Sequence, residues 1–335
     1  MVECLHEPAV APADPDIIGI GVAWSFLTTA ALTFLTCLIV MIIRLCRKNE
    51  QPGGFWPTTL RAVLISLYDQ QLVTGMAIQI VCLAKLHFMI QYHLIAIWML
   101  GGITTMAQFA ALIVCFRDLS QNKYLSWLRQ LAMFINCALN CVLGAFVASC
   151  FGKDLDRRLP VSCSLFPDGP THKSVKPVRE TARYPYVVAA LVIVILAQVL
   201  LLSFAVRALN TAKSDPTPDD TRRRRRHIVY RWVGVVVALL LFIALALILR
   251  FTTAAFGRIT DVSLEDHGSS EREWSFGQII PMVLLVFPFI TLIETWLEYC
   301  TSDDQTINGQ VDSMELDEVV ARYHQIPKPS QEALV

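Results

Sequence analysis

The sequence predicts an all-α membrane protein, a polytopic bundle of about seven transmembrane helices with its N-terminus outside and its C-terminus in the cytosol. Hydrophobic residues make up 55% of the 335 residues and charged residues only 17%. Apolar runs of about 19 to 27 residues recur along the chain. Each run is long enough to cross a hydrocarbon core of about 30 Å at roughly 1.5 Å per residue. This composition is typical of polytopic membrane proteins and not of soluble ones.

Seven apolar runs are the candidate spans. They are, in order, Ile17 to Ile43, Tyr68 to Leu86, His93 to Cys115, Trp127 to Phe151, Tyr184 to Ala208, Ile228 to Phe251 and Phe276 to Leu297. The first run is too long for the core of a signal peptide, so we expect it to be retained. The prediction is therefore an outer segment at residues 1–16, a membrane domain at 17–300 and a disordered acidic cytosolic tail at 301–335.

Basic residues beside the spans indicate the orientation. No Lys or Arg precedes the first span, whereas Arg44, Arg47 and Lys48 follow it directly. Because Lys and Arg are enriched at cytosolic span ends, the N-terminus is predicted to lie outside. The run Arg222 to Arg226 then falls in a cytosolic linker, residues 209–227, where we expect little order. The outer loop at residues 152–183 carries seven basic residues against this orientation, but long loops weigh less.

The ten cysteines show no metal-binding spacing, and we expect neither a metal nor a cofactor. Several of them fall inside apolar runs, where a thiol usually behaves as a small buried hydrophobe. Cys150 and Cys163 would lie on the same, outer side of the membrane. A disulfide between these two is therefore a prediction of the sequence, provided that this side is lumenal.

Two acids near the cytosolic boundary are the candidate catalytic residues. Asp69 opens the second predicted span, and Glu294 lies near the end of the seventh, in "TLIETWLEYC". Pro288 precedes Glu294 by less than two helical turns and is expected to kink that helix. A carboxylic acid beside an apolar cavity can act as a proton donor. We therefore predict that Asp69 and Glu294 converge on one cavity.

Simpler roles are open for these acids. Asp69 in the first turn of a span can act only as a helix cap, because the helix dipole favours an acid there. Glu298, one turn beyond Glu294, is interpreted as a solvated residue past the last span.

Polar residues also form seams on the third and fourth spans. Gly101, Thr105 and Gln108 share one helical face, and Asn136 and Asn140 are four residues apart on another. Small and amide side chains commonly join membrane helices through close packing and hydrogen bonds. We interpret the seams as structural, with contact to a substrate as the alternative.

Two motifs carry a resemblance to a known family. The stretches "ADPDIIGIGVAWSF", Ala13 to Phe26, and "LYDQQLVTGMAIQI", Leu67 to Ile80, resemble a large family of fungal integral membrane proteins with about seven spans. Members occur beside fungal secondary-metabolite genes, including clusters for elsinochrome-like pigments. The chain is also similar to the membrane-bound terpene cyclases of ascofuranone-type meroterpenoid pathways. The resemblance implies a multi-pass protein of the endoplasmic reticulum with a hydrophobic prenylated small molecule as its ligand and other membrane-bound pathway enzymes as partners.

The second resemblance implies an isomerase-type activity. Cyclases of this kind protonate a terminal epoxide on a prenyl chain and guide the resulting cation to a ring, without metal or diphosphate ionisation. One of Asp69 and Glu294 would be the general acid, and the other its hydrogen-bond partner or the final base. The expected lining of the substrate cavity is Gln71, Met76, Gln108, Asn140 and Phe287.

Other functions compete with cyclisation. Seven spans with an outside N-terminus also suit a receptor or sensor, although the last span has neither Asn-Pro-x-x-Tyr nor a retinal-binding Lys. A transporter is disfavoured, because no internal repeat is visible. A non-catalytic accessory protein of a biosynthetic complex remains open. Nothing in the chain indicates binding to nucleic acid.

Overall fold

The described part of the chain is a bundle of long helices. The computed structural model describes residues 19–46, 55–87, 89–119, 123–152, 161–162, 221–260 and 276–301, together with positions 192, 195–196, 198–200 and 203. Its helices are α1 (Ile20–Cys46), α2 (Phe55–Ala84), α3 (Gln91–Leu119), α4 (Lys123–Gly152), α5 (Thr221–Thr260) and α6 (Phe276–Leu284), with a further helical stretch at residues 287–301. The expected Cys150–Cys163 disulfide stays a prediction, because Cys163 lies outside the described residues, as do residues 1–16 and the tail beyond 301.

The helices have the length and apolar character that a membrane requires. Among the residues that the structure describes, five helices are long and apolar enough to cross a bilayer. They correspond to the first, third, fourth, sixth and seventh predicted spans. The second predicted span falls within α2, which is not among the five, and most of the fifth lies outside the described residues. The chain is therefore, by composition, a helical, multi-pass membrane protein.

Helix α3 occupies the centre of the bundle. Its apolar span, Gln91–Cys115, packs against α1, α2, α4 and α5, and every residue from 96 to 115 is buried. By contrast, only 6% of the corresponding window in Ile279–Thr301 is buried. A large exposed apolar surface is unfavourable in water and suits the hydrocarbon of a bilayer. The outer helices thus carry a surface that is compatible with lipid, whereas α3 packs against protein.

Small residues allow the central helices to approach closely. A Cβ atom at Gly101 of α3 would lie 2.6 Å from Asn140 Oδ1 and 2.8 Å from Gln79 Nε2. A Cβ at Gly75 of α2 would lie 2.9 Å from Thr104 Oγ1. These positions bring polar side chains of neighbouring helices against a bare backbone, as is typical of membrane helix contacts.

Helix α2 begins well before the predicted second span. It starts at Phe55, and Pro57 sits in its first turn, where a missing N–H is tolerated. Buried residues recur at helical spacing in this helix, including Leu64, Leu67, Gln71 and Leu72. One buried face therefore continues from the part of α2 before the predicted span into the span itself. Asp69 is therefore the fifteenth residue of a 30-residue helix. The alternative that Asp69 caps the helix is wrong.

The Arg-rich linker is also partly helical. Helix α5 begins at Thr221 and includes Arg222 to Arg226 before the apolar span Ile228–Thr252. Little order was expected for residues 209–227, and this expectation is wrong for 221–227. Arg has high helix propensity, and an established helix extends more easily than a new one nucleates.

The predicted kink at Pro288 is confirmed. Helix α6 ends at Leu284, residues 285–286 form a turn, and the helix resumes at 287. Pro288 has no N–H to donate to the carbonyl of Leu284, four residues earlier, so the helical ladder is interrupted there. A second break occurs in α3 at Cys115 (φ −102°, ψ 17°), where Arg44 Nη1 of α1 donates to the carbonyl of Val114 at 2.9 Å.

Candidate functional site

Asp69 forms an ion pair with a residue of α4. Arg129 Nε donates to Asp69 Oδ1 at 2.8 Å, and Arg129 Nη2 donates to Asp69 Oδ2 at 2.5 Å. The Arg129 side chain is 16% exposed and that of Asp69 is 42% exposed. Two parallel hydrogen bonds from a planar guanidinium fix the orientation of the carboxylate and balance its charge. The pair therefore ties the middle of α2 to the first turns of α4.

Arg129 was missed by reasoning from the sequence. It lies inside the predicted fourth span, where it is an isolated basic residue among apolar neighbours. Asp69 is an isolated acid in the predicted second span. Two lone charges of opposite sign in separate spans are a signal for pairing, because unpaired charges inside a membrane bundle are costly. This signal in the sequence could have identified the contact between Asp69 and Arg129.

Glu294 does not meet Asp69. It is an exposed residue of the stretch 287–301, which runs antiparallel to α2. Thr291 Oγ1 donates to Ser66 Oγ at 3.2 Å, and the rings of Phe55 and Tyr299 are 4.9 Å apart.

These contacts fix the relative depth of the two acids. Asp69 lies three residues beyond Ser66, toward the Ala84 end of α2. Glu294 lies three residues beyond Thr291, toward the Phe55 end. Six residues in total separate them along the axis, or roughly 9 Å at 1.5 Å per residue. The shared cavity therefore stays a prediction, and it would have to span this offset.

The polar seams of α3 and α4 form a buried hydrogen-bond network, as predicted. Asn136 Nδ2 donates to Thr105 Oγ1 at 3.3 Å and to Gln108 Oε1 at 3.2 Å. Gln79 Nε2 of α2 donates to Asn136 Oδ1 at 3.0 Å. The side chains of Gln79, Thr105, Gln108 and Asn136 are completely buried. The structural interpretation of the seams is confirmed, and Gln79 is an additional member.

A second branch of this network reaches the short described segment near residue 198. Asn140 Nδ2 donates to Gln198 Oε1 at 3.0 Å, and both residues are completely buried. Gln108 and Asn140, expected to line a substrate cavity, are thus occupied in joining helices. Of the other expected lining residues, Met76 is half-buried and Phe287 is exposed.

Gln71 occupies a cleft between α1, α2 and α6. The space in it that a water-sized group can occupy is about 10 Å³. The cleft is lined by Ser25, Phe26, Thr29, Gln70, Gln71, Thr74 and Pro281. Since Gln71 lies two residues after Asp69, the two side chains point in directions about 160° apart on the helix. The ion pair and the cleft are therefore on different sides of α2.

The described residues offer no metal centre. Within the ranges given above, no three His, Cys, Asp or Glu side chains come together in an arrangement that could hold a metal ion.

Comparison with other proteins identifies no family for this chain. No protein-family model, no curated protein and no solved structure matches the chain.

The Asp69–Arg129 contact predicts an energetic coupling. In a double-mutant cycle of Asp69→Asn and Arg129→Gln, we expect a coupling of about 1 kcal/mol, at the upper end of exposed pairs because the contact is bidentate and half-shielded. The measurement is the free energy of unfolding in mixed micelles. Arg129→Lys is the matched control, and it should recover only part of the coupling because an ammonium lacks the planar fork. Additive effects of the two single changes would show that the pair contributes nothing.

Proposed function

We propose that this chain is a membrane-embedded terpene cyclase that protonates the epoxide of a prenylated small molecule and directs cyclisation of the resulting cation. The observation that supports the proposal is the Asp69–Arg129 ion pair in the middle of a bundle helix. Ionisable residues within membrane bundles are rare and usually mark a functional site. The similarity of the chain to membrane-bound terpene cyclases of ascofuranone-type pathways supplies the class of reaction.

The ion pair favours different roles for the two acids. Both Asp69 oxygens accept hydrogen bonds from Arg129, and a guanidinium can only donate, so Asp69 is engaged as a carboxylate. A carboxylate suits the final base or the stabilisation of a passing cation. Glu294, exposed on the lipid-facing helix, is then the acid. It would donate its proton to the epoxide oxygen as the C–O bond breaks, and Asp69 would accept a proton from the cyclised cation.

The separation of these acids favours a second candidate, a non-catalytic receptor or accessory protein that binds a small molecule. Asp69 and Glu294 are offset by roughly 9 Å along the helix axis, so cyclisation requires a substrate that reaches both. A binding role has no such requirement.

The cyclase proposal is tested in microsomes of a yeast host supplied with an epoxidised prenyl substrate. We expect wild type to form a cyclised product, and we expect Glu294→Gln to lower turnover by about a hundredfold or more, in line with loss of general acid catalysis. Asp69→Asn should lower turnover as well, since an amide cannot accept the final proton.

Glu298→Gln is the matched control, because Glu298 is an exposed acid one helical turn from Glu294. This variant should turn over substrate as wild type does. Failure of wild type to form any cyclised product, or full activity in both Asp69→Asn and Glu294→Gln, would rule out the assigned chemistry and leave the binding role.

We further propose that the complete chain crosses the membrane of the endoplasmic reticulum seven times with its N-terminus in the lumen. The support is the set of five apolar helices, the additional helix α2 and the basic residues that follow the first span.

The topology is tested by placing an Asn-x-Thr glycosylation acceptor either in residues 153–160 or in residues 210–220. The account predicts a glycan only at the first site, because only the lumenal side carries the transferase. A glycan at the second site alone would invert the orientation.

A further inference from the structure

The cleft between α1, α2 and α6 contains a buried amide whose hydrogen-bonding groups are all unused. Gln71 is 1% exposed, and neither its Oε1 nor its Nε2 has a hydrogen-bond partner among the described residues. The neighbouring Gln70 Oε1 is likewise buried and unpartnered within that part of the chain. Such groups are uncommon in folded proteins, because an unsatisfied buried polar atom costs much of its desolvation energy. Gln71 therefore points to a molecule that completes its hydrogen bonds.

Gln71 differs in this respect from the amides of the central network. Gln79, Gln108, Asn140 and Gln198 each bond through one amide atom and leave the other without a partner in the described structure. These side chains have a structural task that accounts for their burial. Gln71 makes no such bond and lines a cleft instead.

The other polar groups of the cleft define what the ligand must supply. The hydroxyls of Ser25, Thr29 and Thr74 donate to backbone carbonyls of their own helices, at 2.9, 2.6 and 2.9 Å. Their oxygens are left to accept. With Gln71 Oε1 and Gln70 Oε1, the cleft therefore has more acceptors than donors. A ligand must donate at least one hydrogen bond, and Gln71 Nε2 can donate one in return.

Charge and volume narrow the ligand class further. No charged side chain is present among the residues that line the cleft, so an ionic head group would be buried without a counter-ion. The space that a group can occupy in the cleft is about 10 Å³, which admits one water-sized group such as a hydroxyl but no larger head group. Some residues next to the lining residues in the sequence have exposed side chains, namely Trp24, Val73 and Met282. The apolar body of a ligand can lie against such residues within the bilayer.

We propose that this cleft binds the hydroxyl group of an uncharged, long-chain apolar alcohol. The hydroxyl donates to Gln71 Oε1 and accepts from Gln71 Nε2, and the hydrocarbon chain extends into the lipid. A hydroxyl is the smallest group that donates and accepts at once. The site lies on the side of α2 away from Asp69, so the inference does not depend on cyclase activity.

Binding is measured with the full chain in detergent micelles and radiolabelled farnesol as the probe. Wild type should bind farnesol saturably. We expect Gln71→Leu to weaken binding by about tenfold or more, since two hydrogen bonds to the ligand are lost. The methyl ether of farnesol, which cannot donate, should bind at least about threefold more weakly than the alcohol. Farnesyl phosphate should not compete.

Two controls separate loss of the site from loss of the fold. Gln130→Leu removes an amide of α4 that bonds to Ser126 Oγ, away from the cleft, and should bind farnesol as wild type does. Without ligand, Gln71→Leu should unfold at the same or a higher temperature than wild type, because it removes unsatisfied buried atoms.

The proposal is overturned if farnesol does not bind saturably to wild type, if Gln71→Leu binds it equally well, or if the methyl ether binds as well as the alcohol. The last result would indicate that water completes the amide. Asp69→Asn should bind farnesol normally, so a failed cyclase assay and a failed binding assay remain distinguishable.

Discussion

The enclosure of α3 is the constraint on which the rest of the bundle depends. Residues 96–115 of this helix are all buried, so their polar side chains cannot reach water or lipid head groups. Thr104 and Thr105 bond to the carbonyl of Gly101 in their own helix, but the amide of Gln108 requires a partner from a neighbour. Asn136 of α4 provides that partner and also accepts from Gln79 of α2. One amide thus sets the relative depth of three helices.

Glycine at the crossing points makes this arrangement possible. A side chain at Gly101 would collide with Asn140 and Gln79, and one at Gly75 would collide with Thr104. In lipid, contact between apolar side chains gives little advantage over contact with hydrocarbon tails, so close packing and hydrogen bonds decide the association. The packed interior consequently holds a polar network among its buried apolar residues, while further large apolar residues cover the outside.

Apolar run length and helical spacing predicted much of this fold. The five apolar helices and the structural role of the polar seams on α3 and α4 follow from them, and Pro288 itself predicted the break in the last helix. Hydropathy did not predict where α2 begins, because the charged residues Arg61 and Asp69 lower the mean hydropathy of this amphipathic helix. One face of the helix is nevertheless buried against protein. Nor did it predict Gln79 or Arg129, since a partner depends on which helices are adjacent and at what depth. The packing of the whole bundle decides which helices are adjacent and at what depth, and no single segment of the sequence encodes that packing.

The two sides of α2 have different chemistry, and this is the basis of both functional inferences. One side holds a carboxylate in a charged contact with α4. The other buries an amide with no protein partner in the described structure beside a cleft. Between them, Gly75 and Gln79 attach the helix to the central network. A ligand at Gln71 would therefore contact the same helix that carries Asp69, on its opposite side.

The free energy of unfolding of Asn136→Leu in lipid nanodiscs or bicelles tests the central role of the amide network most directly. Its loss leaves the facing groups of Gln79 and Gln108 unpartnered, so the account predicts a decrease of about 2 to 3 kcal/mol. Ala138→Leu, on the exposed face of the same helix, should change stability by no more than about 0.5 kcal/mol. Equal stability of Asn136→Leu and Ala138→Leu would contradict the account.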